Sequence, residues 1–215
     1  SKNKGGDKMK KTIFWQVDCQ NDFMKEGGRL YVQKAEGIIP NLQLLARFAR
    51  SRPYIQQSGS VDAHEPDDPE FDLYGPHCVK GTPGQLIIDE IRPDLAMKFV
   101  RSQAHEPRDL CRILGFKGAI YFEKQATDVF TNANVNPYLL TPDLGLVVVY
   151  GVVDHICVEE AVLGMRKNFD FDVAVVSDAT KELEPEKREA AFAKFKEKGA
   201  KIVTTDEIIK YLKGV

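Results

Sequence analysis

The sequence contains no long apolar run. No stretch approaches the ~18 to 20 apolar residues that a membrane-spanning helix requires. The opening residues, SKNKGGDKMKK (1–11), also lack the apolar centre of a signal peptide and show no periodicity. We therefore expect a cytoplasmic protein with no membrane partner, in which residues 1–11 form a flexible tail.

A large excess of charge of either sign is also missing. The formal net charge is −2 and the pI is about 6.1. No stripe of Lys and Arg alternates with aromatic residues, as it does in proteins that follow a phosphate backbone. No GxGxxG or P-loop pattern and no internal repeat is present. These absences argue against nucleic acid as a partner and against a nucleotide-phosphate site.

Cysteine is scarce. The four cysteines, Cys19, Cys78, Cys111 and Cys157, form no CxxC pair, and a chain of 215 residues does not need disulfide bonds to hold its fold. We therefore expect reduced thiols. Hydrophobic residues make up 43% and charged residues 29% of the chain, which is typical of a globular protein and not of a disordered one. We predict that residues 12–215 form a single domain.

Short apolar segments alternate with longer amphipathic ones through this predicted domain. The predicted strands are at 12–17, 54–58, 97–101, 119–123, 146–150, 173–176 and 201–203. The predicted helices are at 38–51, 106–115, 157–168, 185–198 and 205–213. Such alternation is typical of a parallel sheet with helices on both faces, which explains why LVVVYGVV is apolar throughout. We predict an α/β fold, a three-layer α/β/α sandwich with a mainly parallel sheet of about six strands.

Three residues with reactive side chains come directly after predicted strands: Asp18, Lys124 and Cys157. In open α/β sheets the ligand crevice lies beyond the carboxyl ends of the strands, so these side chains should converge there. Cys157 also begins a predicted helix, a position that lowers the pKa of a thiol. Taken singly, Cys157 fits a small buried side chain, Asp18 a turn residue and Lys124 a surface charge. Their common placement at strand ends favours a catalytic site.

The segment 59–84 is a long, non-periodic connection rich in Gly, Pro and Asp. In an extended segment Asp62 and His64 point the same way, and His77 follows further along the loop. One carboxylate and two imidazoles form a plausible donor set for a catalytic divalent ion, with positions left open. The alternative is a simply solvated acidic loop.

Three segments carry a more specific pattern: VDCQNDF (17–23), FEKQATDVF (122–130) and GVVDHICVEEA (151–161). In order and approximate spacing they resemble the signature segments of the cysteine hydrolase superfamily, the isochorismatase-like fold that includes nicotinamidases. The resemblance extends over nearly the whole chain from residue 12 onward. The three-part match is much more specific than any one segment.

The resemblance implies an Asp–Lys–Cys triad. Asp18 would be the general base and later acid, Lys124 its electrostatic partner and Cys157 the nucleophile. It also implies a cis peptide bond between Val152 and Val153, which would direct the N–H of Val153, together with that of Cys157, at an oxyanion.

The loop runs VDAH and GPHCVKGTPG resemble the metal-binding stretch of nicotinamidases. By this resemblance Asp62, His64 and His77 bind one divalent metal ion, and Glu70 is a weaker candidate for a fourth ligand. Zinc is favoured, with iron and manganese as alternatives. In that family the ion holds the pyridine nitrogen of the substrate. Cys78 should be buried and point away from the ligands.

Aromatic residues complete the substrate pocket that the resemblance implies. Phe23 matches a pocket aromatic of the family, and Tyr74 stands near the position where nicotinamidases usually have a stacking tryptophan. Trp15 lies inside a predicted strand and is assigned to the core, whereas Phe130 fits either pocket or packing. Lys98 is a rival for the catalytic lysine, but it lacks the TDVF run that the motif requires.

The implied function is a metal-dependent, nicotinamidase-like amidase that converts nicotinamide or a similar aromatic amide to the acid and ammonia through a cysteine thioester. Tyr74 in place of tryptophan leaves open an amidase for another small amide, or for a carbamoyl or ureido compound. Vinyl-ether hydrolysis of the isochorismatase type is disfavoured because it needs neither Cys157 nor the metal ligands. An intact triad argues against a non-catalytic binding protein. Relatives often self-associate, so we expect a homo-oligomer.

Overall fold

The computed structural model describes residues 10–99, 101, 103–106, 108–109, 113 and 116–214. Most of the predicted tail, much of the predicted helix at 106–115, and Cys111 lie outside these residues. Within the described part of the chain, no helix is long and apolar enough to cross a membrane.

One parallel sheet forms the centre of the fold. Its strands are β1 (Lys11–Val17), β2 (Ile55–Asp62), β3 (Ala96–Phe99), β4 (Ala119–Lys124), β5 (Leu144–Val152), β6 (Asp172–Lys181) and β7 (Lys201–Val203). Their order in the seven-stranded sheet is β3-β4-β2-β1-β5-β6-β7, and every neighbouring pair is parallel. The predicted parallel sheet is confirmed. It has seven strands, one for each of the seven predicted strand segments, against the about six expected for the sheet.

Helices connect the strands. Those that lie wholly within the described ranges are α1 (Asn21–Met24), α2 (Ile39–Arg50), α3 (Phe71–Tyr74), α4 (Val135–Leu139), α5 (Cys157–Asn168), α6 (Pro185–Glu197) and α7 (Thr205–Lys213). The helices predicted at 38–51, 157–168, 185–198 and 205–213 match α2, α5, α6 and α7 closely. The three-residue and four-residue 3₁₀ segments are Ala35–Ile38, Pro83–Gln85 and Val129–Thr131.

The two faces of the sheet bury two separate apolar clusters. On β1, Phe14 belongs to the cluster that contains Leu42 of α2, whereas its neighbour Trp15 belongs to the cluster that contains Met165 of α5. Trp15 is fully buried and stacks on Phe122, with ring centroids 5.7 Å apart. Burying a large apolar side chain contributes roughly 1.5–3 kcal/mol, so both helical layers are held on the sheet. The three-layer sandwich and the core assignment of Trp15 are confirmed.

The central strands β1 and β5 approach closely at their carboxyl ends. Gly151 has a φ of +119°, and a Cβ at this position would lie 2.1 Å from the backbone oxygen of Val17. Only glycine therefore fits here. Since the chain leaves β1 towards β2 on one side and β5 towards β6 on the other, the crevice at these strand ends lies at a topological switch point.

Candidate active site

The carboxyl ends of the strands bring the three predicted reactive side chains together. Asp18 follows β1, Lys124 ends β4, and Cys157 begins α5 after β5. Nζ of Lys124 lies 2.9 Å from Oδ2 of Asp18 and 3.5 Å from Sγ of Cys157. Both charged residues are buried, whereas Cys157 keeps partial exposure to the crevice. A carboxylate, an ammonium and a thiol thus share one pocket, as nucleophilic catalysis requires.

Asp18 is placed to accept a proton. Its Oδ1 accepts a hydrogen bond of 2.7 Å from the hydroxyl of Ser60. Burial raises the pKa of Asp18 above its ordinary value, although the Lys124 ammonium acts in the opposite direction. A carboxylate with a raised pKa is a stronger base at neutral pH. Sequence reasoning missed Ser60. The available signal was its position two residues before Asp62 on β2, since residues two apart on a strand share a face.

The pKa of the Cys157 thiol differs from the predicted one. Burial raises the pKa of Cys157 well above its ordinary value, and the carboxylates of Asp18 and Asp62 add to this rise, while Lys124 lowers it. The expectation of a lowered thiol pKa is therefore wrong in its net direction. Desolvation outweighs a single ammonium that two carboxylates already share. The thiol consequently needs a partner that removes its proton during the reaction.

The turn between β5 and α5 supplies backbone donors next to Cys157. The peptide bond between Val152 and Val153 is cis, the form that the resemblance implies. The carbonyl of Val153 accepts hydrogen bonds of 3.1 Å from the N–H groups of Ile156 and Val158. In the described part of the chain, no backbone carbonyl accepts from the N–H of Val153 or Cys157. Because the first N–H groups of a helix have no partner within it, the Cys157 N–H can bind an anion.

A second cluster lies beside the first. Asp62 ends β2, His64 follows in an extended segment, and His77 lies in the loop after α3. The loop is fixed against this segment, since the N–H of His64 donates to the carbonyl of Cys78 over 3.2 Å. Nε2 of His64 and Nε2 of His77 lie 3.6 and 3.5 Å from Oδ2 of Asp62. One ligand atom from each of these three buried residues lies within 4.8 Å of the others.

The contacts around this cluster fit a divalent metal ion. Nδ1 of His64 lies 3.0 Å from Oδ2 of Asp68, and Nδ1 of His77 lies 2.8 Å from the carbonyl of Gly75, so each Nε2 faces the cluster. Both ring nitrogens of His64 and Oε2 of Glu70 are buried without a hydrogen bond among the described residues, and Nε2 is the nitrogen that faces Asp62 and Glu70. Buried polar atoms of this kind need a partner. Two imidazole nitrogens and a carboxylate oxygen are suitable ligands for zinc, iron or manganese.

Asp62 connects the two clusters. Its Oδ1 accepts a short hydrogen bond from Nζ of Lys124, while its Oδ2 faces the imidazoles. Burial opposes ionisation, but Lys124 and the imidazoles outweigh it and hold the pKa of Asp62 well below its ordinary value. The side-chain amide of Gln20 fixes the Asp62 backbone, accepting from its N–H at 2.7 Å and donating to its carbonyl at 2.8 Å. Sequence reasoning missed Gln20, although it lies inside the QNDF segment.

A crevice opens beside Cys157, with an unfilled space of about 380 Å³ when its open mouth is included. Phe23, Tyr74 and Glu70 line it, as expected for the pocket residues and the weaker ligand candidate. Oε2 of Glu70 lies 3.5 Å from Nε2 of His64, and burial raises the pKa of Glu70. The other lining residues are Leu30, Val32, Asp62, His77, Thr127, Val153, Ile156 and Leu183. The walls are therefore mostly apolar, and no lysine or arginine lines this crevice among the described residues.

The alternative candidates for the catalytic lysine, a metal ligand and a pocket aromatic do not line the crevice. Lys98 is exposed on the edge strand β3, away from the crevice lining. Cys78 is fully buried, as predicted. Phe130 packs on Phe169 with ring centroids 6.4 Å apart, and a Cβ at Gly164 would lie 2.2 Å from its ring, so its role is packing.

Comparison with known families gives one match over most of the chain. Residues 12–207 match the family model described as the isochorismatase domain. A protein of Arabidopsis thaliana, described as a probable inactive nicotinamidase, is 23% identical over 94% of this chain and 96% of its own length.

Solved structures share the fold. The N-carbamoylsarcosine amidase of Thermoplasma acidophilum is 27% identical, with a TM-score of 0.69 over 91% of this chain and 97% of its own. A pyrazinamidase of Pyrococcus horikoshii, solved in complex with zinc, is 24% identical, with a TM-score of 0.71 over 90% of this chain and 99% of its own. At 24% identity the second likeness is evidence for the α/β architecture alone.

Proposed function

The chain belongs to the isochorismatase family, and from that premise we propose that it is a metal-dependent amidase of the nicotinamidase type. It hydrolyses nicotinamide, or a similar small neutral aromatic amide, to the carboxylic acid and ammonia. The observation that carries the proposal is the contact of Lys124 with both Asp18 and Cys157, directly beside the Asp62, His64 and His77 cluster.

Asp18 moves the protons of the reaction. Its carboxylate takes the proton of the Cys157 thiol as the sulfur attacks the carboxamide carbon, and the C–S bond forms as the carbonyl becomes an oxyanion. Asp18 then returns the proton to the leaving nitrogen, the C–N bond breaks, and ammonia departs from a thioester. Water, deprotonated by Asp18, hydrolyses the thioester and the thiol is restored. A positioned acid and base contributes roughly 10²- to 10⁴-fold to the rate.

Lys124 and the turn after β5 stabilise the charges that develop. The ammonium lies 3.5 Å from Sγ, where it favours the thiolate over the thiol. The backbone N–H groups of Val153 and Cys157 serve as the oxyanion donors, each worth about 3 to 4 kcal/mol of transition-state stabilisation.

The metal ligands orient the substrate. Asp62, His64 and His77, with Glu70 as a further candidate, would hold a divalent ion, which would supply a Lewis-acidic anchor for a ring nitrogen of the substrate. Zinc is our preferred ion because two imidazole nitrogens and a carboxylate oxygen suit it. The side chains of Phe23 and Tyr74 flank the ring of the substrate.

The charges of the crevice favour a neutral substrate. Asp62 and Glu70 are lining residues, and the nearby Lys124 is already shared by Asp18 and Asp62. A carboxylated substrate would find no lysine or arginine among the described lining residues to pair with its charge, and only the proposed metal ion could offset it. The alternative is an amidase for another small amide or for a carbamoyl or ureido compound. The likeness to N-carbamoylsarcosine amidase supports it, but the lining residues disfavour its carboxylate-bearing members.

Activity needs a direct test because one relative is described as a probable inactive nicotinamidase. Ammonia release should be measured with nicotinamide and with N-carbamoylsarcosine, before and after removal of metal by a chelator. We expect release from nicotinamide, its loss on chelation and its return with zinc. Cys157→Ala should abolish turnover while the melting temperature stays within a few degrees. Release from the carbamoyl compound alone would favour the alternative, and full activity of Cys157→Ala would refute the mechanism.

A further inference from the structure

The turn that carries Val153 and Cys157 is anchored by a charged cluster outside the crevice. Asp154, directly after Val153, has a fully buried side chain. Its Oδ2 accepts a short hydrogen bond from Nη1 of Arg188 on α6, and its Oδ1 lies 3.3 Å from Nδ1 of His155. Neither Asp154 nor Arg188 is among the residues that line the crevice. This pair therefore lies outside the crevice in which we propose that the substrate binds.

Arg188 also holds the end of β6. Its guanidinium donates to the carbonyls of Ser177 and Thr180, the latter over 3.3 Å, and to Oε2 of Glu182 over 3.1 Å. Its charged group stacks over the ring of Phe192, 4.5 Å from the centroid. The two N–H groups of Nη1 are shared among Asp154, Thr180 and Glu182, while Nη2 donates to Ser177. A compact lysine ammonium cannot span acceptors spread in this way.

The same strand end holds the turn through the backbone. The N–H of Asp154 donates to the carbonyl of Lys181 at 3.0 Å. The pairing of β5 with β6 shifts register between Val149 and Gly151 and then resumes, with Gly151 opposite Thr180 and Val152 opposite Lys181. The ladder therefore ends at Val152, and the turn after it depends on other contacts. Arg188 thus links the irregular end of β6 to the residue that follows Val153.

We propose that Arg188 is a positioning residue that acts through Asp154 and fixes the turn presenting the Val153 N–H to the reacting carbonyl oxygen. The proposal rests on the amidase function proposed above. Oxyanion stabilisation depends on donors held within a few tenths of an ångström, so a loosened turn lowers the rate of the chemical step more than substrate binding.

The test compares substitutions of Arg188 and Asp154 with a control substitution on the same helix. Arg188→Gln removes the fork and leaves the Asp154 carboxylate with only its contact to His155. The double variant Asp154→Asn with Arg188→Gln avoids a lone buried charge, and keeps the test valid if the single variant folds poorly. Arg188→Lys keeps the charge without the fork. Lys194→Gln on the same helix, which breaks the exposed pair with Glu159, is the control.

Three readouts separate positioning from stability. We expect Arg188→Gln and the double variant to lower kcat per reactive Cys157 thiol by roughly 10- to 100-fold, with KM changed less than about 3-fold. Iodoacetamide should alkylate Cys157 at an unchanged rate, because alkylation requires no oxyanion donor. Arg188→Lys should recover only part of the loss, and Lys194→Gln should behave as wild type. A lower melting temperature with unchanged kcat per thiol would overturn the proposal, and so would alkylation slowed as much as turnover.

Hydrogen–deuterium exchange of the peptide containing residues 151–158 distinguishes this failure from failure of the amidase function. If the wild-type enzyme releases no ammonia from any amide, the proposed function is wrong, but the exchange still decides about the turn. Faster exchange in Arg188→Gln than in Lys194→Gln supports fixation of the turn by Arg188. Equal exchange in the two variants refutes it.

Discussion

The two ends of the sheet hold very different arrangements of charge. At the carboxyl ends, Asp18, Asp62 and Lys124 are buried against one another. At the amino ends, a larger groove, of about 1150 Å³ with its open mouth included, is lined by four cationic side chains. These are Lys11, Arg50, Arg52 and Lys117, all at least partly exposed. The smaller opening is the one that contains perturbed ionisable groups.

This difference shows that burial of charge, and not the size of an opening, marks the candidate active site. Exposed cations cost little because water solvates and salt screens them. Two buried carboxylates around one ammonium are costly to desolvate, and only their mutual pairing keeps them charged. The buried charges of the crevice therefore lower the stability of the fold and make these side chains reactive, which is typical of functional sites.

The largest expected effect comes from removing the shared cation. Lys124→Met should lower turnover by roughly 10³-fold or more and lower the free energy of unfolding by about 3–5 kcal/mol, because Asp18 and Asp62 lose their buried partner. Steady-state kinetics and urea unfolding measure both. Lys98→Met, at the exposed edge of the same sheet, is the matched control and should change neither. Equal effects of the two substitutions would contradict the distinction between buried and exposed charge.

A second test addresses the metal ligands. His77→Ala should weaken zinc binding by at least about 100-fold, since it removes one of three ligands. The measurement is metal content after dialysis, together with competition against a chromogenic chelator. His105→Ala is the control, because His105 is an exposed histidine whose ring packs on Phe99 at 5.0 Å. If His77→Ala retained full metal content, the donor set would be wrong.

The smallest effect is expected in the groove at the amino ends of the strands. The hydroxyl of Tyr54 donates to the carbonyl of Leu212 at 2.9 Å. Tyr54→Phe should lower the free energy of unfolding by about 1 kcal/mol, the value of one hydrogen bond, and leave kcat unchanged. Thermal unfolding and kinetics check the two parts. A clear loss of activity would mean that this groove contributes to function.

The positions of the main site residues could be predicted from the sequence. Asp18, Lys124 and Cys157 each follow a predicted strand, and parallel strands place their carboxyl ends at one edge. Asp62, His64 and His77 were visible as a donor pattern in a long loop, where the structure brings them together. Both predictions depended on local patterns and on one rule of sheet topology.

Other features of the site depend on tertiary packing and cannot be predicted from local sequence patterns. The net direction of the Cys157 pKa follows from desolvation of the sulfur and from the charges around it, which only tertiary structure decides. Gln20 and Arg188 act through bonds to distant backbone groups of Asp62 and Ser177. In the sequence, Arg188 looks like one more charge on the solvated face of a Glu/Lys/Arg-rich helix.

The central claim is that Asp18, Lys124 and Cys157 act on one another in one pocket. The most direct test is the pH dependence of Cys157 alkylation in the wild type, Lys124→Met and Asp18→Asn, with the alkylated Cys157 peptide quantified by mass spectrometry. Alkylation requires the thiolate, so its midpoint reports the thiol pKa. Because Lys124 lowers that pKa and Asp18 raises it, Lys124→Met should move the midpoint to higher pH and Asp18→Asn to lower pH. Asp18→Asn should nevertheless lose turnover, since it lacks the base. Unchanged or reversed midpoints would show that the three side chains do not act on one another.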